Sequence, residues 1–305
     1  MRQPICLLLT TSGLLLVILL PVLITHAMDD KARIVQDSAL AVHLVTGLIL
    51  GSYAACAALV REIRKATVSS VLSKPINRAT FYLAKFAGVA IFMGLFSLGM
   101  GMATLLSTHV AMVSDEHWQV DTLSLGLQLF AVVASCLCGG LANYYRRRPF
   151  HSVAFGSLLV FLAVALAVTW AVDASGNLGR FPSTWSWSIV PVSLLIAVAI
   201  TVLTGLAVAL APRFDTVPTL SVCLVVLMGG LMSDYFFRVP AAEGVGWARL
   251  LYSIVPNWQH FWVVDALAGG VLSVGYVVQA CLYALLYLVA ILSLGVLAFE
   301  RMDMK

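Results

Sequence analysis

Long apolar segments recur along almost the whole 305-residue chain, and they limit its possible folds more than any other feature. A helix needs about 20 apolar residues to cross the ~30 Å hydrocarbon core of a bilayer. The chain is 61% hydrophobic and 10% charged, whereas soluble domains are roughly 45–50% apolar and about 25% charged. This composition excludes a soluble enzyme, a nucleic-acid-binding module and a disordered protein. It predicts an all-α polytopic membrane protein.

The apolar segments and the residues that interrupt them predict about eight transmembrane helices in one transmembrane domain, residues 1–305. The expected spans are residues 5–27, 38–60, 87–108, 123–143, 153–172, 186–211, 217–234 and 272–299. Residues 235–271, before the last span, contain Pro240, Pro256 and many aromatic side chains. They are too polar to span and too apolar for a free loop, so we expect short interfacial or re-entrant helices there.

The basic residues predict the orientation, because cytoplasmic loops are enriched in Lys and Arg. With the N-terminus inside, 13 of the 18 basic residues fall on the cytoplasmic side, and ten of the 14 acidic residues fall on the other side. Both termini are therefore expected to be cytoplasmic. The first segment, with Thr25-His26-Ala27, is also compatible with a cleaved signal peptide. We expect a retained helix, because the apolar stretch is longer than a usual signal core.

The predicted spans contain very few ionisable residues, among which His43 is the clearest and Asp234 lies at a span edge. Ion-coupled carriers normally have acidic groups at mid-depth, so this class is disfavoured. We interpret His43 as a hydrogen-bonded packing residue. The chain has no phosphate-binding Gly-x-x-x-x-Gly-Lys-Ser/Thr loop, no paired His/Glu metal motif and no Gly-x-Ser-x-Gly elbow. We therefore expect no catalytic site, no metal site and no cofactor bound by this chain.

One basic cytoplasmic loop, residues 61–86, is longer than a simple helix connection needs. Its apolar side recurs at three- to four-residue spacing, which predicts an amphipathic helix of about three turns. The residues on that side are Ile63, Thr67, Val71 and Leu72. Lys74-Pro75 ends this helix, since a residue before proline disfavours helix, and Asn77 can cap the next one. Such a helix fits anchoring to anionic lipid and docking of a partner equally well.

The same loop contains a spaced set of residues that resembles the signature of ABC-2 type exporter permeases, the membrane-spanning subunits of ABC transporters. The matching residues are Glu62, Thr67, Leu72, Pro75, Arg78, Lys85 and Gly88. Every spacing of the family pattern is reproduced, and the loop lies between the second and third predicted spans, as in that family. Ala66 and Ala84 stand where the family usually has glycine.

A second segment is similar to the family's extracytoplasmic Pro-Asn…Phe…Asp segment before the last helix. It is carried here by Pro256, Asn257, Phe261 and Asp265, which we expect to form an extracytoplasmic gate. Relatives of this kind commonly have six spans, so residues 109–185 supply an extra helix pair around Arg146-Arg147-Arg148-Pro149.

The resemblance implies a permease subunit of an ATP-driven exporter in the bacterial inner membrane. Its expected partners are an ABC ATPase subunit that holds ATP-Mg, a second permease copy or paralogue, and membrane lipid. The residues expected to couple to the ATPase are Glu62, Ile63, Arg64, Thr67, Val71, Leu72, Pro75, Arg78 and Lys85. Pairing of Glu62 with Arg78 inside the loop is an alternative role for these two charges.

Two other functions stay open. One is a non-transporting membrane scaffold that docks an ATPase through the same loop, for regulation or envelope assembly. The other is an integral membrane enzyme or ion-coupled carrier, which would not bind a soluble ATPase through residues 61–86.

Overall fold

The structure is a computed structural model that describes residues 4–24, 30–64, 77–117, 121–172, 185–263 and 272–301, without the side chains of 60–64 and 114–117. The regular elements within these residues are helices. In chain order they are α1 (Pro4–Leu23), α2 (Lys31–Arg64), α3 (Arg78–His117), α4 (Thr122–Arg146), α5 (Phe150–Ala171), α6 (Ile189–Leu210), α7 (Thr216–Leu231), α8 (Ser233–Ala242), α9 (Gly246–Ile254), a 3-10 turn (Trp258–His260) and α10 (Val274–Glu300).

Within the described residues, seven helices (α1 to α6 and α10) are long and apolar enough to cross a membrane. Each of them overlaps one of the predicted spans. The all-α, multi-pass membrane architecture that the composition predicts is therefore confirmed at this level.

The seventh predicted span, 217–234, is interrupted, because the structure divides it between α7 and α8. α7 has 16 residues, which gives a length of about 24 Å, less than the ~30 Å hydrocarbon core. The chain breaks at Met232, and α8 continues with its axis bent by 51°. The break follows Gly229-Gly230 and brings Asp234 of α8 against hydrogen-bond donors, which a straight apolar span would not offer to a carboxylate.

α3 is much longer than the predicted span 87–108. It runs for 40 residues, about 60 Å, so it extends well beyond the hydrocarbon core. The helix is longer than the predicted span because it already begins directly after Asn77, and the backbone N–H of Ala79 donates to Oδ1 of Asn77 at 3.1 Å. Asn77 is thus the cap that the sequence predicts, and no helix-breaking residue separates it from the apolar segment.

The described residues of Met1–Thr46 and Leu95–Leu194 form one compact group. Its main packing unit is the hairpin of α4 and α5, against which α1 also packs. The two helices approach closely at Gly139, where an added Cβ would lie 2.8 Å from Cβ of Ala154 and 3.0 Å from the ring of Phe150. Small residues at such crossings let helices in membranes approach each other.

His43 lies in this first group, fully buried, with its ring edge-on to Phe96 at a centroid distance of 5.8 Å. Neither ring nitrogen has a hydrogen-bond partner among the described residues. The interpretation of His43 as a packing residue is consistent with this contact, but the expected hydrogen bond is wrong. The ring of Phe96, on α3, supplies an aromatic contact at this point instead.

The described residues of Gly47–Gly94 and Leu195–Lys305 form a second compact group. Its core includes Leu50, Leu203, Cys223 and Phe299, all nearly inaccessible to solvent. The start of α3 lies against the end of α10, where the ring of Tyr82 fills the space beside Gly295. α7, α8, α9, the 3-10 turn and most of α10 also belong to this group, and they build the site described next.

Candidate functional site

The predicted coupling residues fall into three sets. Glu62, Ile63 and Arg64 lie in the last turn of α2, but their side chains are outside the described part of the chain. Thr67, Val71, Leu72 and Pro75 lie outside the described residues altogether, so the amphipathic coupling helix stays a prediction. Arg78 and Lys85 lie in the first turns of α3.

The first turns of α3 are tied to the end of α10 by a set of contacts that we call the basal cluster. It consists of Arg78, Phe81, Tyr82, Lys85, Phe299 and Glu300. Nη1 of Arg78 donates to the backbone carbonyl of Glu300 at 3.2 Å. The rings of Phe81 and Phe299 stack at a centroid distance of 6.2 Å. One of the predicted coupling residues, Arg78, therefore contacts the last helix, a contact that the sequence analysis did not anticipate.

Charge and burial make this contact specific. Nζ of Lys85 lies 5.4 Å from the centroid of the Phe81 ring, a cation–π arrangement that contributes about 0.5–1 kcal/mol when exposed. Tyr82 is fully buried and its ring lies 5.8 Å from that of Phe299. The start of α3 is thus packed onto α10 by aromatic rings, with the two cationic groups at its edge.

At a different place in the second group, three helices and the segment at Asn257 meet around one carboxylate. Oδ1 of Asp234, on α8, accepts hydrogen bonds from Oη of Tyr252 and from Nδ2 of Asn257, both at 2.8 Å. The backbone N–H of Asn257 donates to Oη of Tyr283, on α10, at 2.9 Å. We call Asp234, Tyr252, Asn257 and Tyr283 the Asp234 cluster. Two of the three hydrogen bonds end on the carboxylate of Asp234, which makes Asp234 the centre of the cluster.

The hydrogen bond from Tyr252 to Asp234 raises the pKa of Tyr252 above its ordinary value of 10.0, with a smaller contribution from burial. A phenolate at this place would lie beside a carboxylate and would lose the hydrogen bond. Tyr252 therefore stays a donor at neutral pH, and it links α9 to α8.

The 3-10 turn closes the end of α7. Gln259 Nε2 donates to the carbonyl of Leu231 at 2.8 Å, which is one of the carbonyls that a helix end leaves without an internal partner. Trp258 is 2% exposed, and its Nε1 donates to the carbonyl of Val226 at 3.0 Å. The ring of Trp258 and the carbonyl oxygen of Pro256 fit against α7 only because residue 230 is glycine and has no Cβ.

α10 holds the same segment from the other side through its tyrosines. Tyr276, Tyr283 and Tyr287 lie on one face of α10, at spacings of seven and four residues. Oη of Tyr276 donates to the carbonyl of His260 at 2.9 Å, and Oη of Tyr287 donates to the carbonyl of Ser253 at 3.0 Å. The sequence analysis missed this tyrosine face, although its helical spacing was a readable signal.

Three of the four predicted gate residues lie together. Pro256 and Asn257 precede the 3-10 turn, and Phe261 follows it with its ring 6.1 Å from that of Tyr283. Asp265 lies outside the described residues. The carboxylate that organises the segment is Asp234, which the sequence marked only as an acid at a span edge.

The hydrogen bonds of the Asp234 cluster bind segments of the chain together. Each polar group of the Asp234 cluster is used to hold one element against another. α9 adds an exposed apolar side, formed by Trp247, Leu250 and Ile254 at helical spacing. Such a side fits the boundary between lipid headgroups and acyl chains.

Comparison of the chain with protein-family models, curated proteins and solved structures gave no match.

Proposed function

We propose that the chain is the permease subunit of an ATP-driven ABC exporter in the bacterial inner membrane. It forms the translocation path together with a second copy or a paralogue, and a separate ATPase subunit binds ATP-Mg. The observation that carries the proposal is the loop pattern from Glu62 to Gly88, which reproduces every spacing of the ABC-2 signature. That pattern begins in the last turn of α2 and ends in α3.

The basal cluster supports a mechanical role for this loop. α3 starts immediately after the loop and is one continuous helix. Because Arg78 and Phe81 are fixed to Glu300 and Phe299, a force on the loop would act on α3 and α10 together. Rigid helices with packed contacts transmit displacement in this way.

The Asp234 cluster supports a role for the segment from α8 to the 3-10 turn as an outward gate. Its three hydrogen-bonded links join α8, α9, the segment at Asn257 and α10. Movement of α10 would therefore pull on the segment before it. This connection uses only contacts within the second group.

The decisive experiment is purification of the full-length chain from native membranes and identification of a soluble ATPase that accompanies it. We expect Glu62→Lys and Pro75→Ala to lower permease-stimulated ATP hydrolysis severalfold, while membrane insertion stays intact. Arg213→Glu, an exposed charge reversal on the turn between α6 and α7, is the matched control and should leave hydrolysis unchanged. Full hydrolysis in both loop variants would remove the coupling role.

A non-transporting scaffold that docks an ATPase is the second candidate, because the same loop would serve it. ATP-dependent export from proteoliposomes separates the two functions. A complex that binds and stimulates the ATPase but exports nothing across a range of amphipathic cargoes would favour the scaffold.

A further inference from the structure

The turn between α4 and α5 has no role in the proposed function, and it carries three consecutive arginines, Arg146 to Arg148, all exposed. Their guanidinium groups make no hydrogen bond or ion pair with any residue that the structure describes. Neither α4 nor α5 contains an acidic residue. Three positive charges therefore stand together at one end of the hairpin without a protein counter-charge on either helix.

The turn holds these charges in a fixed geometry. Arg147 has the left-handed conformation, with φ of 49°. Its N–H donates to the carbonyl of Asn143 at 3.1 Å, and the N–H of Arg148 donates to the carbonyl of Ala142 at 3.2 Å. Nδ2 of Asn143 also donates to the carbonyl of Arg148 at 3.1 Å. These bonds pair the last backbone carbonyls of α4. The arginine side chains therefore project from a turn whose backbone is held in place.

On the exposed side of α4, which leads to this turn, the type of side chain changes in order along the helix. Four large apolar side chains, each more than half exposed, recur at three- to four-residue spacing along α4: Phe130, Val133, Leu137 and Leu141. The next turn presents Tyr144 and Tyr145, which are 80% and 76% exposed and contact each other edge to face. The arginines follow. One side of the hairpin therefore passes from aliphatic to aromatic to cationic.

This order matches one leaflet of a bilayer, in which acyl chains are followed by the interface and then by phosphates. Tyrosine is enriched at membrane interfaces. From Leu141 to Arg146 the helix rises about 7 Å, comparable to the roughly 5–8 Å headgroup layer on each side of the core. The arginines thus lie at the depth of lipid phosphates, which guanidinium groups bind through paired hydrogen bonds.

We propose that the α4–α5 turn is a binding site for anionic phospholipid, with Arg146, Arg147 and Arg148 contacting headgroup phosphate and Tyr144 and Tyr145 at the interface below it. An acidic protein partner would need the same charges, but it would leave the exposed aromatic and aliphatic side of α4 unexplained. The inference depends on membrane insertion of α4 and α5 and not on the exporter function.

The test is native mass spectrometry of the delipidated full-length protein, titrated with phosphatidylglycerol or with phosphatidylcholine. Three juxtamembrane arginines give an upper limit of ~100-fold preference for the anionic lipid, and we expect about tenfold in the wild type. The combined variant Arg146→Gln, Arg147→Asn, Arg148→Gln should reduce the preference to within about twofold. Asparagine is used at residue 147 because it tolerates the left-handed conformation.

Two controls keep the outcome interpretable. Arg146→Lys with Arg148→Lys preserves the charge and should keep most of the preference, and Arg238→Gln removes an exposed arginine of α8 and should not change it.

An unchanged preference in the combined variant, with folding verified by circular dichroism, would overturn the proposal. No preference in the wild type would also overturn it and would leave an acidic protein as the partner. Binding of free glycerol phosphate as tightly as phosphatidylglycerol, at equal ionic strength, would assign the turn to soluble phosphates and overturn the lipid assignment.

Discussion

At the scale of single residues, Gly230 is the clearest packing constraint. A Cβ on this residue would overlap the carbonyl oxygen of Pro256 and the ring of Trp258, whereas a Cβ on Gly229 would meet nothing within 4 Å. Trp258 cannot move away without losing its hydrogen bond to Val226. The two adjacent glycines therefore differ only in what faces them.

We predict that Gly230→Ala lowers the free energy of unfolding by about 1–3 kcal/mol, the usual cost of overpacking. Gly229→Ala should leave it unchanged or raise it by up to ~1 kcal/mol, because alanine favours helix. Thermal unfolding of both purified variants in detergent, followed by circular dichroism, measures the difference. Equal effects of the two substitutions would contradict the packing at Gly230.

Tyr252 allows a second prediction, on pH. Because the hydrogen bond to Asp234 raises the pKa of Tyr252 above 10.0, its contribution to stability is fully present below about pH 10. That contribution is lost as the pH rises through the raised pKa. The melting temperature of the wild type should therefore exceed that of Tyr252→Phe at pH 8, and the difference should shrink at pH values above 10.

The matched control for this titration is Tyr235→Phe, an exposed tyrosine on α8. It removes a hydroxyl outside the Asp234 cluster, and its melting temperature at pH 8 should equal that of the wild type. A constant gap between wild type and Tyr252→Phe from pH 8 to pH 12 would show that the hydroxyl does not depend on the Asp234 carboxylate.

At the scale of elements, the α4–α5 hairpin is held by close approach of its helices. Gly139 faces Ala154 and Phe150, whereas an added Cβ on Gly140 would meet nothing within 4 Å. Ser157 Oγ adds a hydrogen bond to the carbonyl of Ser135 at 3.4 Å. Close packing and polar contacts of this kind drive association of helices inside lipid, where no hydrophobic force acts between them.

We predict that Gly139→Leu separates the hairpin and that Gly140→Leu does not. One cysteine is introduced at Ser135 of α4 and one at Ser157 of α5. The yield of crosslinking between them in membranes reports the distance between the two helices. We expect a yield at least severalfold lower with Gly139→Leu. A yield that falls equally in both backgrounds would mean that Gly139 is not the contact point.

The elements also show which structural features a local sequence pattern predicts and which it does not. The seven long apolar helices and the cap at Asn77 could be read from the sequence, because helix formation in lipid depends on nearby residues. The bend at Met232 could not. It depends on Gly230 meeting Trp258 and on Asp234 meeting Tyr252, and both partners lie beyond the segment that a local window covers.

At the scale of the whole molecule, the bent α7–α8 pair decides the topology. If the pair is re-entrant, the described residues contain seven crossings, and if it crosses there are eight. With a 51° bend, about 24 Å of α7 and about 15 Å of α8 add up to roughly 33 Å along one axis, enough to cross the core. The predicted distribution of basic residues likewise assumes an even number of crossings.

We therefore predict that both termini lie on the cytoplasmic side. Green fluorescent protein fused to the C-terminus should fluoresce, and alkaline phosphatase at the same place should be inactive. In a fusion after Glu243, beyond α8, the two reporters should give the opposite result. A fluorescent fusion after Glu243 would mean that α7 and α8 form a re-entrant loop.

Part of the candidate site was predicted from the sequence, and part was not. Pro256, Asn257 and Phe261 were identified by resemblance, and the structure places them at the two ends of the 3-10 turn. Their organiser, Asp234, gave only the signal of an isolated acid, and its partners Tyr252 and Asn257 are 18 and 23 residues away. The contact between Arg78 and Glu300 spans 222 residues. No spacing rule covers such separations.

The sequence alone determined that this is a polytopic helical membrane protein and where its long helices lie, because the free energy of burying apolar side chains in lipid accumulates locally along each segment. Only the tertiary structure decided which carboxylate holds the segment before the last helix, where α7 bends, and which helix receives the start of α3. These depend on hydrogen bonds and ring contacts between distant residues, whose energies exist only once the chain has brought them together.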